Sequence, residues 1–151
     1  MIKYIKNMTS VVFEEIPDKI TLGVNISNCQ NHCKGCHSPF LAKNIGDELT
    51  YDVIDKLIKD NYGINCFLFL GEGNDKQLLY DYSNYIKEKY HIDMAVYSGR
   101  DTVEQEMFEI FDYVKVGAYK EEFGPLNKET TNQRLYYHKN DITNKFWNKL
   151  K

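Results

Sequence analysis

Short apolar runs alternate with longer amphipathic stretches along most of this chain, and that rhythm predicts its architecture. "SVVFE" at 10–14 suits a short strand, and "ITLGVNI" at 20–26 a buried one. Thr50 can cap a helix whose apolar positions are Val53, Ile54, Leu57 and Ile58. "NCFLFL" at 65–70 is a solid apolar run ending at Gly71. Asp75 then opens a helix with Leu78, Leu79, Tyr82, Tyr85 and Ile86 on one face. "IDMAVY" at 92–97 is the next strand, followed by Ser98-Gly99. Asp101 is placed to cap a helix carrying Val103, Met107, Ile110 and Phe111, and "YVKV" at 113–116 is a strand ended by Gly117.

Continuous apolar strands alternating with amphipathic helices imply a parallel sheet covered by helices, joined by right-handed crossovers. The strands are too few for an eight-stranded barrel. The expected fold is therefore α/β: a partial (β/α) barrel, a curled and mostly parallel sheet with helices on its outer face. One domain over 1–151 is expected, with its core at about 10–118 and a tail at 119–151. In the tail, "ITNKFWNKLK" reads as a short amphipathic helix docked on the sheet or on a partner.

In such a sheet every turn after a strand lies on the carboxyl edge, where α/β proteins bind ligands. Gly71-Glu72-Gly73, Ser98-Gly99 and Gly117 all occupy such turns. So does the one stretch with unusual chemistry, "NCQNHCKGCHSPF" at 28–40. Composition sharpens its meaning. A net charge of -3 with scattered Lys and Arg lacks the basic stripe of a nucleic-acid binder. No apolar run spans a bilayer and no signal-like leader opens the chain. The cytoplasm is the expected compartment, and clustered thiols there point to metal or redox chemistry rather than disulfides.

Cys29, Cys33 and Cys36 have C-x3-C-x2-C spacing, and the fourth cysteine, Cys66, sits in mid-strand as a core residue. A [4Fe–4S] cube normally takes four thiolates. Three would leave one iron open to a substrate or cofactor. The alternative is a structural zinc on Cys33 and Cys36 with His32 or His37. All its ligands would come from one loop and would tie no second segment to the fold.

"CQNHCKGCH" resembles the cluster loop of radical S-adenosylmethionine enzymes. More narrowly, the chain resembles the activating proteins of anaerobic (class III) ribonucleotide reductase. "CKGCHSP" is similar to that family's Cys-Pro-Gly-Cys run, with Gly35 before the third cysteine. "YSGRD" at 97–101 and "GPLNKETTNQRLYY" at 124–137 resemble its later segments. There are departures. "LGEGN" at 70–74 stands where the superfamily has Gly-Gly-Glu-Pro, and Lys34 where the family has proline.

The resemblance implies a cluster on Cys29, Cys33 and Cys36, with S-adenosylmethionine chelating its fourth iron. One electron would cleave the cofactor to methionine and a 5′-deoxyadenosyl radical, which takes a hydrogen atom from a glycine of the reductase. The backbone of Gly35, Cys36 and His37 would flank the adenine. The Gly71-Glu72 turn would meet the methionine amino group. Ser98 and Gly99 would approach the ribose or carboxylate. No side-chain catalytic acid or base is needed. The implied partners are the anaerobic ribonucleotide reductase and a flavodoxin-like electron donor, with no nucleic acid and no membrane. Asn132, Gln133 and Arg134 have the donors to hold an extended peptide over the cluster. Two other classes fit parts of the pattern: a radical enzyme with another glycyl-radical partner or a small substrate, and a non-catalytic zinc-binding interaction module.

Overall fold

The computed structural model describes residues 1–27 and 45–147. Its strands are β1 (Ile2–Tyr4), β2 (Ser10–Val12), β3 (Thr21–Asn25), β4 (Asp47–Leu49), β5 (Cys66–Leu70), β6 (Asp93–Tyr97), β7 (Tyr113–Val116), β8 (Arg134–Tyr137) and β9 (Asn140–Asp141). The helices are α1 (Tyr51–Asp60), α2 (Lys76–Tyr90) and α3 (Gln105–Ile110).

Seven strands form one sheet in the order β2-β3-β5-β6-β7-β8-β9. The four central strands, β3, β5, β6 and β7, are parallel, as the alternating pattern predicts. Both margins are antiparallel: β2 lies against β3, and β8 and β9 extend the sheet beyond β7. The tail expected from residue 119 onward is thus part of the sheet at Arg134–Asp141. The β8–β9 turn at His138 and Lys139 has φ of 46° and 71°, the left-handed pair of a tight hairpin. Neither residue is glycine, asparagine or aspartate, so the hairpin carried no turn signal. A separate pair, β1 with β4, sits at the end of β3, where Tyr4 also bridges Ile26.

The helices form where their caps direct. Thr50 Oγ1 accepts from the Val53 N–H at 3.2 Å and starts α1. Asp75 Oδ1 accepts from the Leu78 N–H at 3.1 Å and starts α2; that bond is the main reason the Asp75 carboxyl lies below its ordinary value. His91 ends α2 in the left-handed region. The third helix differs from expectation: it starts at Gln105, after Glu104, and not from an Asp101 cap. Glu104 makes no side-chain cap bond, because its carboxylate is taken by Arg100 and Lys76. Residues 98–103 are consequently a loop that carries Arg100 to the carboxyl edge.

Strand alternation sends side chains to two cores. Leu22, Val24, Phe67, Phe69, Val96 and Val114 meet Ile54, Leu79, Ile86 and Met107 from the helices and Phe111 just past α3. Burying a Phe or Leu here contributes about 2–3 kcal/mol each. On the opposite face Cys66, Leu68, Ala95, Tyr113 and Leu135 pack with Ile16 and Phe146. Of the expected C-terminal helix at 142–151, the described part is a 3-10 turn at Thr143–Phe146 docked on this second core, and residues 148–151 lie outside the described residues; Trp147 donates from Nε1 to the Leu126 carbonyl at 3.0 Å. Among the described residues no helix is long and apolar enough to cross a membrane.

Gly46 opens β4 with φ +97°, and a Cβ there would lie 2.3 Å from the Tyr4 carbonyl oxygen. Gly63 has a similar φ of +103° and open space around it. Gly63→Ala should therefore cost only backbone strain, about 1 kcal/mol, whereas Gly46→Ala should cost roughly 3 kcal/mol or more because β1 must move. Urea midpoints of the two variants check this; equal losses would show that the β1–β4 contact is not tight.

Candidate functional site

Parallel pairing brings the expected turns together. Asn25, Leu70, Tyr97 and Lys115 form one row across the sheet. The next residues continue the ladder: Ile26 N–H donates to Leu70 O at 3.0 Å, Gly71 N–H to Tyr97 O at 3.2 Å, and Ser98 N–H to Lys115 O at 2.8 Å. Gly117 N–H reaches Arg100 O at 2.7 Å. Gly71, Glu72, Ser98 and Gly99 thus lie on one edge, together with Ser27, the last described residue before residue 28.

Gly35, Cys36 and His37, and with them Cys29 and Cys33, fall outside the described residues. The residues bracketing that segment meet: Ser27 Oγ donates to the Ile45 carbonyl, and Ser27 N–H to Lys3 O at 3.0 Å. Both attachment points of the cysteine segment are therefore at the carboxyl end of β3.

The turn after β5 is shaped by two glycines, with φ +113° at Gly71 and +70° at Gly73. A Cβ at Gly71 would come 3.3 Å from Ile26 O, and one at Gly73 would come 3.0 Å from Ile26 Cγ2. The turn thus folds tightly over Ile26. Between the glycines, Glu72 is buried. Its Oε2 accepts from Ser98 Oγ at 2.5 Å and from Arg100 Nε at 3.0 Å, and its Oε1 from Arg100 Nη2 at 2.5 Å. This is a bidentate Arg–carboxylate fork completed by a hydroxyl.

Arg100 also bridges to Glu104, through Nη1 at 2.8 Å and Nη2 at 3.0 Å, and Lys76 Nζ approaches Glu104 at 2.6 Å. The fork from Arg100 holds the Glu104 carboxyl well below the usual carboxylate range, while Glu104 and Glu72 push the guanidinium still higher. Sequence reading placed Glu72 and Ser98 at this edge but missed Arg100, their common partner.

Lys115 was missed as well. It lies in mid-strand, reads as an interruption in an apolar run, and is buried. Its Nζ donates to Gly117 O at 3.0 Å and lies 5.2 Å from the Tyr97 ring centroid. Alternation puts it on the face opposite the helices, at the carboxyl end of β7.

The tail residues are engaged within the chain. Gln133 Nε2 donates to Gly117 O at 3.1 Å and Asn132 Nδ2 to Ala118 O at 3.0 Å. Arg134 is in β8, opposite Val116, with Asp141 3.7 Å away and the Trp147 ring 5.8 Å from its guanidinium carbon. Gln133 and Asn132 thus brace the β7–β8 connection, while Arg134 faces β9 and Trp147.

Cys66 lies at the other end of β5, paired with Thr21 and Asp93 across the sheet and fully buried. As expected for a core residue, it is remote from the edge where β5 ends. Comparison of the chain with family models, curated proteins and solved structures found no match.

Burial pushes the Cys66 thiol up to about 12. A raised folded-state value favours the neutral thiol, so this contribution to stability is complete below the ordinary thiol pKa of about 8.5. It is lost as pH climbs from there toward 12. Since the thiolate is the nucleophile, Cys66 should resist iodoacetamide in the native protein at pH 8 and react once urea unfolds it. Peptide mapping by mass spectrometry checks this; native labelling at Cys66 would contradict the burial.

Proposed function

We propose that this chain is a radical S-adenosylmethionine activase that installs a glycyl radical in an anaerobic ribonucleotide reductase. The observation that carries the reading is a convergence. The C-x3-C-x2-C segment is attached at the carboxyl end of the first parallel strand. The Gly71–Gly73 and Ser98–Gly99 turns end the next two strands on the same edge. In this reading the sheet is a partial (β/α) barrel with helices outside, working in the cytoplasm with a flavodoxin-like electron donor.

The edge suits the amino-acid end of S-adenosylmethionine. An ammonium needs acceptors, and in this reading they are backbone carbonyls of the glycine turn, which ends β5 on this edge and folds tightly over Ile26. A carboxylate needs cations, and Lys115 brings one to the same end of the sheet. Cys29, Cys33 and Cys36 would hold three irons through their thiolates. When bound, cluster and cofactor supply the electron and the hydrogen-abstracting radical; the chain's residues bind, orient and exclude water. The brace of Gln133 and Asn132 on the β7–β8 connection keeps that side of the edge in place.

Anaerobic reconstitution tests the reading in two steps. Wild type and Cys66→Ala should hold about four irons per chain and cleave S-adenosylmethionine, Cys66→Ala at a packing cost of about 1–2 kcal/mol. Cys29→Ala, Cys33→Ala and Cys36→Ala should each lose both. A colourless protein with one zinc would favour the interaction module instead. With reductant, S-adenosylmethionine and the reductase of the same organism, a doublet electron-resonance signal of a glycyl radical should appear. Cleavage that proceeds with a small molecule, and no radical on the reductase, would replace this activity with the small-substrate alternative.

A further inference from the structure

The glycine turn after β5 poses a mechanical problem. Gly73 stands where the resembled motif has proline, and its φ of +70° is one that a proline ring, locked near -65°, cannot adopt. Two glycines flanking one residue also give the turn more freedom in the unlocked state than any other pair would. A turn that presents backbone groups to a ligand must be held by something else.

Arg100 places a planar fork on both oxygens of Glu72, the residue between the glycines. Arg100 is itself seated by contacts within its loop and beyond it. Its own N–H donates to Ser98 Oγ at 3.1 Å, its carbonyl receives the Gly117 N–H at 2.7 Å, and its second side meets Glu104, which Lys76 also holds. Arg100 therefore ties the turn after β5 to the ends of β6 and β7 through its backbone and to the start of α3 through its guanidinium, with Lys76 linking Glu104 to the start of α2. The fork is largely shielded: Glu72 is 5 % exposed. A carboxylate so enclosed acts by fixing its own backbone.

We propose that Arg100 is a positioning residue, which sets the Gly71–Gly73 turn for ligand binding through Glu72 and does not itself touch the ligand. The inference rests on the activase reading only for the identity of that ligand, S-adenosylmethionine. It makes Glu72 the anchor of the turn and leaves the ammonium to the turn's backbone. Replacing Arg100 by lysine would keep the charge but lose the fork, so the two residues are not equivalent here.

The test measures the turn and the ligand separately. Backbone amide exchange of Gly71, Glu72 and Gly73 should quicken about tenfold or more in Arg100→Ala and partly in Arg100→Lys, with Phe67–Phe69 unchanged. On iron-loaded protein, calorimetry should show S-adenosylmethionine binding weakened about tenfold in Arg100→Ala and in Glu72→Ala. The double variant should be no weaker than either, because both act through one element. Iron content should stay at the wild-type level throughout. If Glu72→Gln weakens binding while Arg100→Lys and Arg100→Ala do not, Glu72 meets the ligand directly and the inference is wrong. Quickened exchange with unchanged affinity in every variant also overturns it, leaving Arg100 a brace for the fold alone. Wild-type protein that holds its iron yet binds no S-adenosylmethionine would sink the activase reading, and the positioning role for that ligand with it.

Discussion

Parallel strands in unbroken register cannot end independently, and that constraint organises this molecule. Asn25, Leu70, Tyr97 and Lys115 share a row, and the hydrogen bonds continue one residue past it into each turn. Three turns remote in sequence are thereby set side by side with no contact between their side chains required. The apolar strands make the register specific. A slip by one residue would turn Phe67 and Phe69 from the helix-covered face to the other and expose the wrong set to each core.

On that frame the Glu72–Arg100 pair adds the only ion pair at the edge, among the described residues, whose carboxylate is almost fully enclosed. A buried pair of this kind is weak evidence for net stability, since desolvation offsets much of the attraction. Breaking it is another matter, because one charge is then left without its partner. Its value lies in geometry: a rigid fork ties a two-glycine turn to the ends of neighbouring strands. Glu104 and Lys76 extend the tie to the helices, through pairs that are more exposed and individually worth less.

The antiparallel margins have a different origin. β8 and β9 cover what would be an open edge at β7, and β2 covers the flank of β3. An uncovered β7 would present a row of unpaired backbone groups to other chains. The tail that looked like an appendage is thus a closing element, and the donors of Asn132 and Gln133 go into fastening it to Gly117 and Ala118. A similar commitment leaves α3 without a side-chain cap: the Glu104 carboxylate at its start is held by Arg100 and Lys76.

Local chemistry by itself determined the parallel core. Uninterrupted apolar runs, Thr50 and Asp75 at the helix starts, and glycines after the strands act over a few residues, so they are legible without the fold. The same locality placed Gly71, Glu72, Ser98 and Gly99 at strand ends and Cys66 in the core. Tertiary structure alone decided the rest. The β1–β4 pair and the β8–β9 margin are strands of two to four residues with weak alternation, and they exist because a distant partner satisfies their backbone. Arg100 and Lys115 give no sign of their roles in sequence, since a charge acquires meaning from what surrounds it. Glu72 lies 28 residues from Arg100, and only the crossover through α2 brings carboxylate and guanidinium into one buried fork.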